Sequence, residues 1–179
     1  MGITLTRGPR WERRKESRPA ELLAAALDLF VERGYAATRL EEVAARAGVS
    51  KGTLYLYYDS KAELFKAVVR ETIVPQLDEL RNAVDRPGRP SAEVLEGFFQ
   101  EWWRRFGTTR AAGIAKLIIA EAGNFPEVAS FFQQEVIEPH MRLLISIIDQ
   151  GVQRGEFVPV DKRAAAHAWI APLVLKTIW

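Results

Sequence analysis

Between Ser50 and Tyr57 the chain concentrates hydroxyls, one ammonium group and two phenol rings on Ser50, Lys51, Gly52, Thr53, Tyr55 and Tyr57. Such a set suits a nucleic-acid duplex. Backbone N–H groups at a helix start bind phosphate, hydroxyls donate to phosphate or base edges, and the Thr53 methyl can meet a thymine methyl. Gly52 permits close approach of the backbone, and Arg39 and Arg46 lie near enough to reach phosphates or to pair with acids instead. Spacing alone leaves open a packed helical hairpin with ordinary surface tyrosines. Other chemistries find little material. With no cysteine and two histidines, thiolate catalysis, disulfides and Cys/His zinc sites are excluded, and His140 and His167 sit on separate segments without a nucleophile motif. The chain is expected to be non-enzymatic, with no cofactor and no metal.

The elements that must position this set are helical. Leu23, Ala26, Leu27 and Phe30 repeat at helical spacing between Pro19 and Gly34, which predicts a first helix over 19–33. Thr38 and Glu41 have the spacing of a capping box, opening a short helix over 39–46 that ends before Gly48. Ser50 is an N-cap for a third helix over 51–57, and Ser60 with Glu63 opens the next. Val43, Ala44, Val49 and Leu54 hold the two short helices at an angle and turn the polar set outward. Helix, glycine turn and helix match a DNA-binding helix-turn-helix. A long helix follows from Leu64, bent at Pro75, and residues 85–91 with two prolines and a glycine form the clearest break. Beyond it come a helix carrying Val94 to Phe106, another over 114–122, a long one over 126–154 kinked near Pro139, and a last one from Asp161. The fold is expected to be all-α, with about eight helices.

Charge adds to this. The whole chain carries a net +2, yet residues 1–18 hold six basic and two acidic side chains, so the positive excess is on an N-terminal arm. That arm lacks the apolar core of a secretory signal, and no run reaches the ~20 apolar residues of a membrane span. A cytoplasmic location without membrane contact is expected. The segment 1–18 is read as a basic arm, 19–62 as the helix-turn-helix domain and 63–179 as a helical bundle.

The stretches Gly34-Tyr35-Ala36-Ala37-Thr38, Glu42 to Tyr55 and Tyr57 to Phe65, with Leu22 to Phe30 before them, resemble the N-terminal domain of the tetracycline-repressor (TetR/AcrR) family. The resemblance implies a repressor whose first three helices bind operator DNA. It places Thr38 and Lys61 on phosphates and Tyr55 at the duplex with Ser50, Lys51, Gly52 and Thr53. Tyr57 and Tyr58 stand where the family often has histidine and phenylalanine. Tyr58 is accordingly expected to pack inward. The resemblance also implies a homodimer reading a palindrome, with recognition helices about 34–36 Å apart.

The C-terminal region is rich in aromatic residues, and apolar spaces between bundle helices are the usual small-molecule sites. Phe99, Trp102, Phe106, Leu117 and Trp169 are the expected apolar walls of a ligand site, with Glu121 and His140 as its polar groups. Trp102 and Trp103, being adjacent, cannot both face one interior. The ligand implied is small and largely apolar or aromatic. Three rivals remain: an activator, a repressor whose bundle only dimerises, or a helical protein-binding adaptor. Family members commonly close with two helices across the dimer axis, whereas the sequence stops at Trp179 within the first, so a final helix is expected to be missing.

Overall fold

The computed structural model describes residues 10–84 and 88–178, and among these there are ten α-helices and no strand. Helix α1 (Arg10–Ala37) forms the axis on which α2 (Leu40–Arg46) and α3 (Lys51–Tyr55) pack. Then come α4 (Lys61–Thr72), α5 (Val74–Val84), α6 (Ser91–Trp102), α7 (Arg110–Glu121), α8 (Pro126–Phe132), α9 (Glu138–Gln153) and α10 (Lys162–Ile178). Of the basic arm, residues 10–18 belong to α1, so the helix starts earlier than its apolar spacing predicts; residues 1–9 lie outside the described part.

Two helices expected to be continuous are divided, and proline is the reason each time. A proline inside a helix removes one N–H and crowds the carbonyl four residues back. Pro75 instead occupies the first turn of α5, after a break at Ile73, so the expected bend is a junction between α4 and α5. Pro139 likewise sits in the first turn of α9, and the residues before it, Gln133–Ile137, widen into a π turn that joins α8 to α9. A second π turn, Trp103–Gly107, extends α6. It turns Trp102 into the core and leaves Trp103 half-buried with the Lys176 ammonium 4.5 Å over its ring.

One apolar core runs through the molecule. At the N-terminal end Leu22, Ala26, Leu29 and Phe30 of α1 meet Val43, Ala44 and Leu54 from the two short helices and Leu64, Phe65 and Val68 from α4. Five- and seven-residue helices are far below the length at which a helix holds itself together, so this burial is what holds α2 and α3. Further along, α1 lies against α7 at close range. A Cβ on Gly113 would come within 2.7 Å of Val31, so only glycine lets the two helices approach this far.

Candidate nucleic-acid interface and apolar cavity

The turn between α2 and α3 depends on Gly48, whose φ of +68° lies in the left-handed region that side chains disfavour. Its N–H bonds to Ala45 O at 3.1 Å and Val49 N–H to Ala44 O at 3.0 Å, reversing the chain in three residues. Ser50 then caps α3, its Oγ accepting from Thr53 N–H at 3.1 Å and sharing a proton with Thr53 Oγ1 at 2.9 Å. Leu54 is fully buried beneath. Ser50, Lys51 and Gly52 face outward, as do Tyr55 at 41% and Tyr57 at 36% exposure, while Thr53 is half-buried. Tyr58 packs against the core, and burial pushes its phenol above the ordinary tyrosine pKa.

Charges around α3 are already in conversation. Lys51 pairs with Glu41, which holds the carboxyl below and the ammonium above their ordinary ranges, and its Nζ lies 5.7 Å from the Tyr55 ring centroid. Arg39 is exposed beside Glu41, whereas Arg46 pairs with Glu32 at 2.9 Å across to α1. Surface pairs of this kind are worth little and exchange partners readily, so phosphates can compete for these cations.

Sequence reasoning missed Leu56. At 83% exposure it is the most exposed large apolar side chain on α3's C-terminal turn, between the two outward tyrosines. Nothing in its sequence surroundings separates it from the buried Leu54; only the fold leaves it outside.

Two residues expected at phosphates are already engaged within the fold. Thr38 is 1% exposed, and its hydroxyl donates to Gly34 O at 2.7 Å and Leu29 O at 3.2 Å, so it seals the end of α1. Nor does it form a capping box with Glu41, because the N-cap of α2 is Arg39. Lys61 spends its ammonium on three carbonyls, Tyr35 O at 2.7 Å, Ala36 O at 3.0 Å and Thr38 O at 3.1 Å. The cause is the end of α1 at Ala37, where the last carbonyls of a helix have no amide four residues on. Lys61 also lies 4.6 Å over the Tyr35 ring, and burial lowers its pKa. Ser60 does cap α4, accepting from Glu63 N–H at 3.2 Å.

In the bundle, a cavity of about 220 Å³ opens between α7, α9, α10 and the two π turns. Its walls are apolar, among them Trp102, Phe106, Ala115, Ile118, Phe132, Met141 and Val174, and His140 of α9 borders it. Of the residues expected at a ligand site, Trp102, Phe106 and His140 line it. Phe99, Leu117, Glu121 and Trp169 do not. Phe99 and Trp169 pack edge to face at 6.5 Å in a neighbouring layer. Leu117 and Glu121 lie on the side of α7 toward Tyr35 of α1, where Glu121 Oε1 accepts from Ala36 N–H at 3.1 Å and thereby ties α7 to the end of α1. Helix α7 therefore carries cavity wall on one face and a link to the helix-turn-helix on the other.

His140 is 8% exposed. Its Nδ1 bonds to Val136 O at 2.7 Å, and since a carbonyl only accepts, the proton is on Nδ1 and Nε2 carries a lone pair. Nε2 has no protein partner. Burial lowers the imidazole pKa to about 4, an effect the bond to Val136 only partly opposes, so the ring is neutral at pH 7.

A larger cleft of about 360 Å³ on the other side of α9 is polar, with Arg81, Arg89, Arg142 and Arg154 around it. Three of these arginines face acids, Asp78 at 3.4 Å, Glu93 at 3.9 Å and Glu156 at 4.0 Å. Of the two, only the apolar cavity has the mostly hydrocarbon lining that small-molecule sites commonly show. Among the described residues no group of His, Asp or Glu is placed to hold a metal, and no helix is long and apolar enough to cross a membrane.

Comparison with known proteins agrees with this geometry. Residues 22–68 match the family described as bacterial regulatory proteins, tetR family, and residues 91–179 match the tetracyclin repressor-like C-terminal domain. The chain is 44% identical over 89 residues to the HTH-type transcriptional activator FasR of Mycolicibacterium smegmatis, a match covering 48% of this chain and 40% of that protein. It is 27% identical over 144 residues to the HTH-type transcriptional repressor KstR2 of Mycobacterium tuberculosis, covering 80% and 70%. The matched segment thus spans well under half of the activator's length. The fold superposes on a regulator from Pseudomonas aeruginosa PAO1 with a TM-score of 0.81 at 21% identity, covering 94% of this chain and 82% of that one. FadR of Bacillus subtilis, solved with stearoyl-CoA, gives a TM-score of 0.78 at 19% identity, with 89% and 84% covered. The flavonoid-responsive regulator FrrA gives 0.65 at 26%, with 92% and 86% covered.

Proposed function

From the premise that the chain belongs to the tetracycline-repressor family of helix-turn-helix transcriptional regulators, we propose a cytoplasmic, non-enzymatic repressor that binds a palindromic operator as a homodimer and is released by a small apolar ligand. Residues 19–62 act as the DNA-reading unit and 63–179 as the ligand and dimerisation unit. The N-terminus of α3 enters the major groove, with Ser50, Lys51 and Gly52 at the backbone and Thr53, Tyr55, Leu56 and Tyr57 toward the bases. Arg39 supplies a further phosphate contact. Trp169 and Leu175, apolar and exposed on α10, support a dimer surface there.

The observation that carries the regulatory half is the double service of α7. A ligand pressing on Ala115 or Ile118 displaces the helix whose other face holds Gly113 against Val31 and Glu121 on Ala36 N–H. Such movement re-aims α1, and with it α2 and α3. A coupling of about 1–3 kcal/mol between the two sites is enough to release DNA, provided the ligand prefers the displaced form.

The test is operator binding across salt. With 6 to 10 phosphates contacted per dimer, affinity should fall by about 10³- to 10⁵-fold between 50 and 200 mM salt. A flat response would exclude the electrostatic mode. Because one relative is named an activator and another a repressor, a reporter measurement with and without the protein fixes the direction of control.

A further inference from the structure

We propose that the polar cleft beside α9 binds a small organic diphosphate, its phosphate oxygens on the guanidiniums of Arg81, Arg89, Arg142 and Arg154 and its hydrocarbon part on the aliphatic floor between them.

Charge comes first. Four arginines from separate parts of the chain line one space of about 360 Å³: Arg81 from α5, Arg89 from the segment before α6, Arg142 from α9 and Arg154 from the turn after it. No acidic residue is among the described walls. Like charges gathered in this way raise the local potential and favour an anion between them. The neighbouring acids are poor substitutes. Asp78, Glu93 and Glu156 stand 3.4, 3.9 and 4.0 Å from Arg81, Arg89 and Arg154, and such exposed pairs are weak and easily exchanged. Glu156 is engaged elsewhere as well, since its Oε2 accepts from Ser91 N–H, a bond that holds its carboxyl below the usual range. Arg142, exposed on α9, has no ion pair among the described residues. Arg154 Nη1 donates to Arg89 O at 2.9 Å and so joins two sides of the cleft.

The kind of anion follows from number and size. A carboxylate carries one charge and is satisfied by one guanidinium fork, whereas a diphosphate carries more charge and has oxygens for several forks. Four arginines match the second. A cavity of about 150 Å³ accepts one benzene, so 360 Å³ takes about fifteen heavy atoms, of which a diphosphate group uses about nine. The remainder is a short hydrocarbon chain or a single ring, and Val84, Val94, Leu143 and Ile147 are the surface that covers it. None of the walls belongs to α1, α2 or α3, which separates the cleft from the DNA-reading surface. It also has no lining residue in common with the apolar cavity, so its occupant does not depend on the effector reading.

The experiment is calorimetric titration of the full chain, at a constant ionic strength of about 0.1 M, with dimethylallyl diphosphate, inorganic pyrophosphate, hexanoate and dimethylallyl alcohol. The diphosphate ester should bind about five- to tenfold more tightly than pyrophosphate, hexanoate more weakly than both, and the alcohol not at all. Arg142→Gln should weaken the ester about tenfold, and Arg142→Lys less, because lysine keeps the charge and loses the fork. Neither should move the unfolding midpoint or the salt slope of operator binding, and Lys51→Ala should leave the affinity for the ester as it is. Pyrophosphate binding as tightly as the ester, or hexanoate binding more tightly than either, overturns the inference. Ester affinity unchanged when Arg81→Gln and Arg142→Gln are combined overturns it too. So does an equal loss in Lys51→Ala, which would place the anion on the DNA-reading surface. Absence of ester binding at about 1 mM overturns the inference and leaves the operator and effector readings standing.

Discussion

Acid should destabilise this protein through His140 before most of its carboxylates are protonated. In the unfolded chain the imidazole takes up a proton near pH 6.5, and in the fold only near pH 4, because burial opposes the charge. Between those values the unfolded state binds more protons, so stability is complete above pH 6.5 and is lost as the pH falls toward 4. Each pH unit in that window is worth up to 1.36 kcal/mol, which gives a loss of about 2 kcal/mol from pH 7 to 5 and about 3 kcal/mol by pH 4. Carboxylates held low, such as Glu101 by Arg104 and Asp149 by Lys162, also contribute stability that fades in acid, so the measurement must be differential. Urea unfolding of the unaltered chain and of His140→Phe, at one protein concentration and at pH 7, 6 and 5, isolates the histidine. The gap between the two should change by about 2 kcal/mol in favour of the variant as the pH drops. Parallel curves would refute the claim that the ring is buried and neutral.

Other expectations follow from single contacts. Lys61→Met should lower stability by about 1–2 kcal/mol by uncapping α1, yet leave the salt slope of operator binding unchanged, because the ammonium serves carbonyls and not phosphate; a slope reduced by about one would return it to the DNA. Leu56→Ser should weaken operator binding about five- to tenfold without moving the unfolding midpoint, as expected of a side chain 83% exposed, and a lowered midpoint would make it structural. Tyr55→Ala and Lys51→Ala should behave similarly in equilibrium binding and melting experiments. Gly48→Ala should lose about 1–2 kcal/mol in urea unfolding because φ is +68° in open space, with Gly48→Asn losing less.

Much of the helix-turn-helix was legible because its signals are local. Ser50 and Ser60 cap helices within three residues of themselves, Gly48 sits where the left-handed turn needs it, and Leu54 alternates with polar neighbours. The bonds of Thr38 were not legible, for the opposite reason. Its hydroxyl bonds to carbonyls of the preceding helix, four and nine residues back, a partnership set by how the chain turns at the end of α1. Lys61 depends on a partner 26 residues away. Leu56 escaped notice because an apolar residue is assumed to be inside until a fold leaves it out.

The apolar cavity shows the same division. Spacing along α7 identifies both Leu117 and Ile118 as apolar, but consecutive residues point about 100° apart, so both border Tyr35 of α1 and only Ile118 also reaches the cavity. Periodicity determined that this chain is a set of amphipathic helices with a short polar one presented outward, since those are properties of neighbours in sequence. Which face meets which helix, where the prolines break it, and that His140 keeps a lone pair in a hydrocarbon space were settled only by packing, because each depends on groups far apart in the chain.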